Sequence, residues 1–308
     1  MSGFLDPEVT QMKRSPVHSA FRWIFYPLVV GGAAFAHLHL AEGRAPEELP
    51  LVTGGVVLSV LALTLLLERC FPYRSEWNLN RGDFATDFVQ SILIFPAVAR
   101  LNEILAIGGI LWLSSLNRWQ PIWPSQIPFP AQLVSAALIA EFGYYWVHRL
   151  SHRVMILWRL HAVHHGSTRV YSMNSGRFHV LDAWLGTAVY LAPLHFLGVP
   201  LEVMALLATL SATTGLLEHV NIDFAAGLLN RVFNTAELHR WHHRTDIEQA
   251  MCNFGKMFSI WDSVFGTYYL PRDREVGEVG IGATAKPVPV GFWGQWLYPF
   301  RAPFRALD

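Results

Sequence analysis

The chain has 308 residues, 52% of them hydrophobic and only 15% charged, with a mean hydropathy of +0.29. Soluble domains run near ~25% charged, so this composition excludes an ordinary soluble domain. The 23 basic and 23 acidic side chains cancel, so charge balance names no partner and nucleic acid is not expected as one.

In chain order, residues 23–41 and 49–67 are apolar over about the ~20 residues needed to cross a bilayer. Residues 86–117 form a longer apolar run that contains Pro96 and is interrupted by Arg100 and Glu103. Residues 119–140 carry no charge and lead into FGYYWV. The stretch 183–217 is apolar apart from Glu202, with an expected central break at Pro193 and Gly198–Pro200. This is the pattern of an integral membrane protein.

Lys13, Arg14 and Arg22 precede the first span, the loop 42–48 holds one arginine against three glutamates, and Arg69, Arg74 and Arg81 follow the second span. The positive-inside tendency then puts the N-terminus in the cytoplasm and 42–48 outside. A single crossing by 86–117 leaves 118–130 outside. Residues 131–147 bring the chain back, and Arg149, Arg153, Arg159, Arg169 and Arg177 agree with a cytoplasmic side. No secretory signal peptide is expected. Cys70 and Cys252 both fall on predicted cytoplasmic stretches and are expected as free thiols.

Strand signals are weak and there is no internal repeat. The expected fold is an all-α membrane protein of about four transmembrane helices, a re-entrant hairpin over 183–217 and a cytosolic helical cap. It is read as one domain: membrane helices over 1–130, a catalytic region over 131–270 and a C-terminal interfacial tail over 271–308. From about 288 that tail mixes Trp, Tyr and Phe with arginines, which suits a membrane interface.

Eight of the fourteen histidines sit in three short boxes: HRLSH (His148, His152), HAVHH (His161, His164, His165) and HRWHH (His239, His242, His243). Helical residues three and four apart share a face, so each box aims its imidazoles one way. Neutral imidazole ligates iron, zinc, copper and nickel. Eight converging imidazoles exceed what one tetrahedral or octahedral ion can use, and the reading is two metal ions. Gly166 is a natural end for the second box's helix.

Glu141, Tyr145, His148 and His152 share one helix face. A carboxylate in an apolar helix is costly unless paired. Glu141 is therefore read either as a partner for the free N–H of a ligating histidine or as a polar contact between helices. His179 and His219 are further ligand candidates, whereas His18, His37, His39 and His195 receive no role. The nearby acids are Glu218, Glu237, Asp246 and Asp262, the first three with Glu141 being candidates to orient ligands. Tyr171, Asn174 and Arg177 are read as supports of the cap or as contacts to a polar headgroup. The histidine-dominated pool differs from soluble di-iron bundles, which use mainly Glu and Glu-x-x-His. It suits two redox ions better than one hydrolytic zinc with an open position.

At these residues the chain resembles the fatty acid hydroxylase / sterol desaturase superfamily of membrane di-iron oxygenases, whose pattern is HxxxH, HxxHH and HxxHH. The likeness includes YYWVHRLSH, LWRLHAVHHGS, MNSGRFH, NTAELHRWHHR and NFGKMFSIWDSVFGTYYLP, and covers roughly 135–270; the first 130 residues match only as hydrophobic spans. The resemblance implies a four-helix membrane base with a cytosolic cap, two irons held by eight or more histidines, and dioxygen as co-substrate. It implies that positions such as His179 and His219 supply extra ligands. Val180 departs from the proline many relatives carry there. The implied substrates are fatty acyl chains, sterols, alkylglycerols or carotenoids, and the motifs separate neither these nor hydroxylation from desaturation.

Both reactions begin by removing hydrogen from an unactivated C–H bond. No electron-transfer domain is visible, so a separate reductase, ferredoxin or b-type cytochrome is expected as electron donor. Imidazole also suits zinc, which lies above iron in intrinsic affinity, so zinc competes for occupancy in purified protein. A histidine-rich membrane metal transporter and a haem-binding electron-transfer protein are the rival readings. A transporter would spread its ionisable groups across the spans at midplane, whereas these cluster at one edge. Haem takes one or two histidines per ring and leaves six unexplained.

Overall fold

The structure is a computed structural model that describes residues 16–246, 250–282 and 285–301. Lys13, Arg14 and the tail beyond Arg301, used above for orientation and interface, lie outside the described residues.

The membrane part is built from helices α1 (Pro16–Ala41), α2 (Leu49–Cys70), α3 (Phe84–Phe88), α4 (Phe95–Ser115), α5 (Phe129–Ser151), α7 (Val180–Leu197) and α8 (Leu201–His219), with α6 (Met155–His165) between α5 and α7. The cap adds α9 (Ala236–His242), α10 (Ile260–Val264) and α11 (Phe292–Arg301). Among the described residues there is no strand, only three isolated bridges. The chain is an all-α integral membrane protein.

Among the described residues five stretches are long and apolar enough to cross a bilayer: α1, Pro46–Cys70, Phe84–Ser115, α7 and α8. This differs from expectation at two places. Helix α5 is 23 residues long but is not among the five, because Gln132, Glu141, Tyr144, Tyr145 and His148 dilute its apolar residues. Each arm of the expected re-entrant hairpin, by contrast, is long enough to span.

The break between those arms is also confined to one place. Pro193 lies inside α7, which runs on to Leu197. The chain turns only at Gly198, where φ is +81°, a conformation open to glycine without a Cβ penalty. Proline removes the N–H that would bond the Val189 carbonyl. Facing that point is Gly143 of α5, where a Cβ would meet Val189 Cγ1 at 2.7 Å and its carbonyl oxygen at 3.2 Å. The two helices therefore approach too closely for any side chain there.

Lipid tails are as apolar as leucine, so large side chains face outward without penalty: Leu51, Phe35 and Leu111 are 79%, 71% and 66% exposed. Inside, Phe25, Tyr26 and Val29 of α1 pack on Val56 and Val60 of α2 and Leu217 of α8. A second core joins Ala136, Ala137 and Ala140 of α5 to Tyr190 and Leu194 of α7 and Val203 and Leu207 of α8.

A π-helical turn, Val89–Ile94, separates α3 from α4. There the Ser91 hydroxyl donates to the Met173 carbonyl at 2.6 Å, and a Cβ on Gly176 would meet Ser91 Cα at 2.7 Å. The short turn Ser172–Gly176 is thus pressed onto the membrane helices. Buried ionic contacts fix it. Arg177 pairs with Asp87 at 2.5 Å and Asp83 at 3.1 Å, and Arg169 pairs with Asp83 at 2.6 Å. Glu68 of α2 accepts from the Ser172 backbone N–H and hydroxyl and from the Asn221 backbone N–H. These bonds hold the segment after the second box against α2, α3 and α8.

Candidate metal centre

The eight box histidines and His219 are all buried and fall into two groups. His148, His152, His161, His165 and His242 each present a ring nitrogen, and these nitrogens lie within 4.8 Å of one another; His164, His219, His239 and His243 form a second group of the same tightness. The boxes are split between the groups. In α6, His161 and His165 are four apart and face the first group, while His164 is turned about 100° from His165 around the helix axis and faces the second. Box three splits the other way: His239 and His243 serve the second group and His242 the first.

In five of the nine rings the outward nitrogen is tied to the protein. His148 Nδ1–H donates to the Phe254 carbonyl at 2.8 Å, His242 Nδ1–H to the Cys252 carbonyl at 2.8 Å and His164 Nδ1–H to the Arg177 carbonyl at 3.2 Å. His161 Nδ1–H donates to Asp182 Oδ2 at 2.9 Å. Asn174 Oδ1 accepts from His219 Nδ1–H at 2.8 Å, its orientation set because Asn174 Nδ2 donates to the Arg169 carbonyl.

A carbonyl can only accept, so these five rings carry their proton on Nδ1 and a bare lone pair on Nε2. On His148 and His161 that lone pair has no protein donor to meet. His148, His152 and His161 Nε2 are buried without a hydrogen-bond partner. Elsewhere Nε2 faces Nε2: His165 with His242 at 3.1 Å, and His239 with His219 at 2.9 Å and with His243 at 3.0 Å. Converging lone pairs repel unless a cation lies between them, so the donor set fits two metal ions with their orienting partners already in place. Burial, reinforced by neighbouring imidazoles, pushes His164, His165, His239, His242 and His243 well below the usual histidine value, keeping them in the neutral, ligating form.

The structure places several sequence candidates elsewhere. His179 is the N-cap of α7; its Nδ1 accepts from the Leu181 N–H at 3.2 Å and its Nε2 bonds the Trp296 carbonyl at 3.1 Å. Both ring nitrogens are occupied, and His179 belongs to neither group. Glu141 takes the second of its two readings. Its carboxylate accepts from the backbone N–H of Met257 at 2.7 Å and of Phe258 at 3.2 Å, tying α5 to the cap, and it touches no histidine.

Glu237 accepts from the Ala226 N–H and Asn230 Nδ2. Glu218 is buried beside His219 in sequence without bonding a ring, and Asp246 is exposed. Asp262 acts at one remove: it accepts from the Phe254 and Gly255 N–H groups and so fixes the carbonyl that His148 uses. Tyr171 donates to Asp87 at 2.6 Å. With Asn174 and Arg177 it is buried under the cap, which makes these three supports and not headgroup contacts.

The carboxylate that does reach a ligand is Asp182, which sequence reasoning misses. Its only signal is an acid in the first turn of an otherwise apolar helix, three residues beyond His179.

A cavity of about 750 Å³ opens between α2, α4, α5, α7 and α8 and ends at His148, His161 and Asp182. No histidine of the second group lines it. On the far side of the first group, a pocket of about 20 Å³ lies beside His152, His165, Arg244 and Met251, room for about one water.

Two sets of buried histidines sit in a helical membrane base, the first at the end of an apolar cavity, and each set could hold a metal ion. The fatty acid hydroxylase family model matches residues 133–267. The chain is 36% identical over 253 residues to ornithine lipid hydroxylase OlsE of Rhizobium tropici, covering 80% of this chain and 74% of that protein. It is 31% identical over 279 residues to human alkylglycerol monooxygenase, covering 90% of this chain and 59% of that protein. Against the Delta(7)-sterol 5(6)-desaturase erg3B of Aspergillus fumigatus it is 27% identical over 225 residues, covering 71% and 64%. No solved structure matches. The chain belongs to the fatty acid hydroxylase family and is an integral membrane oxidoreductase.

Proposed function

We propose that this chain is a dioxygen-dependent lipid hydroxylase that holds two irons in the paired histidine groups and takes electrons from a separate donor protein. The observation that carries this is the convergence of bare Nε2 lone pairs at the end of an apolar cavity. Two irons held there would supply dioxygen activation and removal of hydrogen from an unactivated C–H bond.

The chain's own residues do the rest. His148 and His161 of the first group line the cavity and no histidine of the second group does, so the first group works at the reacting carbon. Asp182 orients His161 through the bond to its Nδ1. The apolar walls admit a lipid sideways from the bilayer and keep water from the reacting end. The substrate is a lipid with an accessible C–H bond, such as a fatty acyl chain, alkylglycerol, ornithine lipid, carotenoid or sterol. Hydroxylation is favoured over desaturation because ornithine lipid hydroxylase and alkylglycerol monooxygenase align over more of the chain than the desaturases do. The arginines after α2 and around α6 support a cytoplasmic N-terminus and active site.

The test is metal content per chain with an optical spectrum, on untagged protein purified in detergent. Two non-haem ions are expected, with zinc counted alongside iron. Anaerobic iron reconstitution followed by a lipid panel with a reductase then reads turnover, which is expected to need the electron source. One ion or fewer in folded protein, or a haem band, overturns the proposal in favour of the transporter or electron-transfer readings.

A further inference from the structure

Two Lys/Arg side chains line the lipid cavity. Arg100 lies at the exposed rim, paired with Glu103. Lys256 comes from the cap loop that follows α9 and is half-buried deep in the wall. Its ammonium donates to the Ser211 carbonyl at 3.3 Å and to the Ser211 hydroxyl, and sits 5.1 Å from the centre of the Tyr190 ring. Ser211 and Tyr190 also line the cavity. An ammonium has three donors, and Ser211 occupies two, leaving one for the cavity. Glu141 and Glu218 act on it electrostatically from outside the cavity wall. Such a polar island in an apolar passage is costly to build, and the metal centre does not use it.

Its depth is fixed by two helices independently. Tyr190 follows Asp182, the His161 partner, by eight residues in α7, and Glu141, bonded to the residue after Lys256, precedes His148 by seven in α5. At ~1.5 Å per residue both helices put the island about 10–12 Å from the histidine end. A saturated chain with C–C bonds of ~1.52 Å and angles of ~111° advances about 1.25 Å per bond, so the gap is about 8–10 bonds.

We propose that Lys256, positioned by Ser211 and Tyr190, is a specificity-determining residue that takes a neutral hydrogen-bond acceptor of the lipid, an ester carbonyl or a hydroxyl, about 8–10 bonds from the reacting carbon. The acceptor is neutral because Glu141 already opposes the ammonium, so the neighbourhood offers no uncompensated positive charge to hold an anion. The subsite acts as a ruler along the chain. It rests on the cavity being the lipid site, and its test uses binding alone, without metal or turnover.

Purified full-length protein in detergent is titrated with methyl hexadecanoate, hexadecane and hexadecanoate, and bound lipid is read by native mass spectrometry. The wild type is expected to bind the methyl ester at least ~10-fold more tightly than hexadecane, the scale of one hydrogen bond to a charged donor. Lys256→Met is expected to bring the two within about twofold by losing that bond. Should Lys256→Met not fold, Lys256→Leu and Ser211→Ala are measured for the same narrowing. Equal binding by the wild type, a preference that survives all folded variants, or hexadecanoate binding more tightly than its ester each overturns the proposal. Because no turnover is read, an inactive preparation leaves this test intact, and a negative result here leaves the metal-centre reading standing.

Discussion

Asp182→Asn isolates the one carboxylate, among the described residues, that bonds a ring of the two histidine groups. In the wild type Asp182 Oδ2 accepts from His161 Nδ1 at 2.9 Å, with side chains only 8% and 3% exposed, so water does not screen the contact. The amide removes the charge. In one orientation its carbonyl still accepts from Nδ1; in the other its NH2 faces Nδ1, moves the ring proton to Nε2 and abolishes the ligating lone pair. Loss of such a partner lowers metal affinity by ~10–100-fold, or about 1.4–2.7 kcal/mol. The effect falls on one group, because His148 and His242 keep their carbonyl partners and the second group shares none of these bonds. Metal ions per chain are counted during titration with a chelator. Asp182→Asn is expected to give up one of its two ions at ~10–100-fold lower free chelator, with the far-ultraviolet circular dichroism unchanged. If both ions leave together, or the first midpoint stays within twofold of wild type, the partition into two groups with Asp182 serving one is wrong.

Other perturbations have equally specific outcomes. His179→Ala should keep both metal ions and lose the N-cap, about 0.5–2 kcal/mol of stability, together with the bond to the Trp296 carbonyl, whereas His164→Ala should lower metal content. Gly166→Ala places a Cβ 2.4 Å from Val288 Cγ2 and 2.5 Å from Val288 Cβ and should cost about 1–3 kcal/mol by overpacking, with Val288→Gly, which removes both atoms, recovering part of the lost melting temperature. Arg177→Met leaves Asp87 buried without its cation and should cost about 3–5 kcal/mol; adding Asp87→Asn should recover part of it, and no recovery would show that the pair is not what holds this segment. Gly186→Leu narrows the cavity where a Cβ would already sit 3.3 Å from Tyr144 Cε2, and should weaken methyl hexadecanoate binding without changing metal content.

Much of this protein is legible in its sequence because the signals are local. An uncharged run of bilayer length, and histidines three and four apart, need no partner to be read: lipid selects the first and helix periodicity the second. That is why α1, α2 and the hairpin arms, and the convergence of the three boxes, follow from the residues alone. The family motifs add His219 by the same route.

What the sequence could not supply depends on contacts between distant segments. His161, His164 and His165 adjoin in sequence yet serve two different sites, because the split depends on how α6 is rotated between α5, α8 and α9. Glu141 and Asp182 are both acids in apolar helices. Only packing decides that Glu141 meets the backbone of the cap while Asp182 meets His161. His179 sits in the motif that suggested a ligand, but Leu181 and Trp296 occupy its nitrogens, and the latter comes from a helix more than a hundred residues away. Lys256 likewise becomes a feature of the lipid cavity only once the cap loop folds under α8. Periodicity sets which way a side chain leaves its own helix, and the tertiary structure alone sets what it finds there.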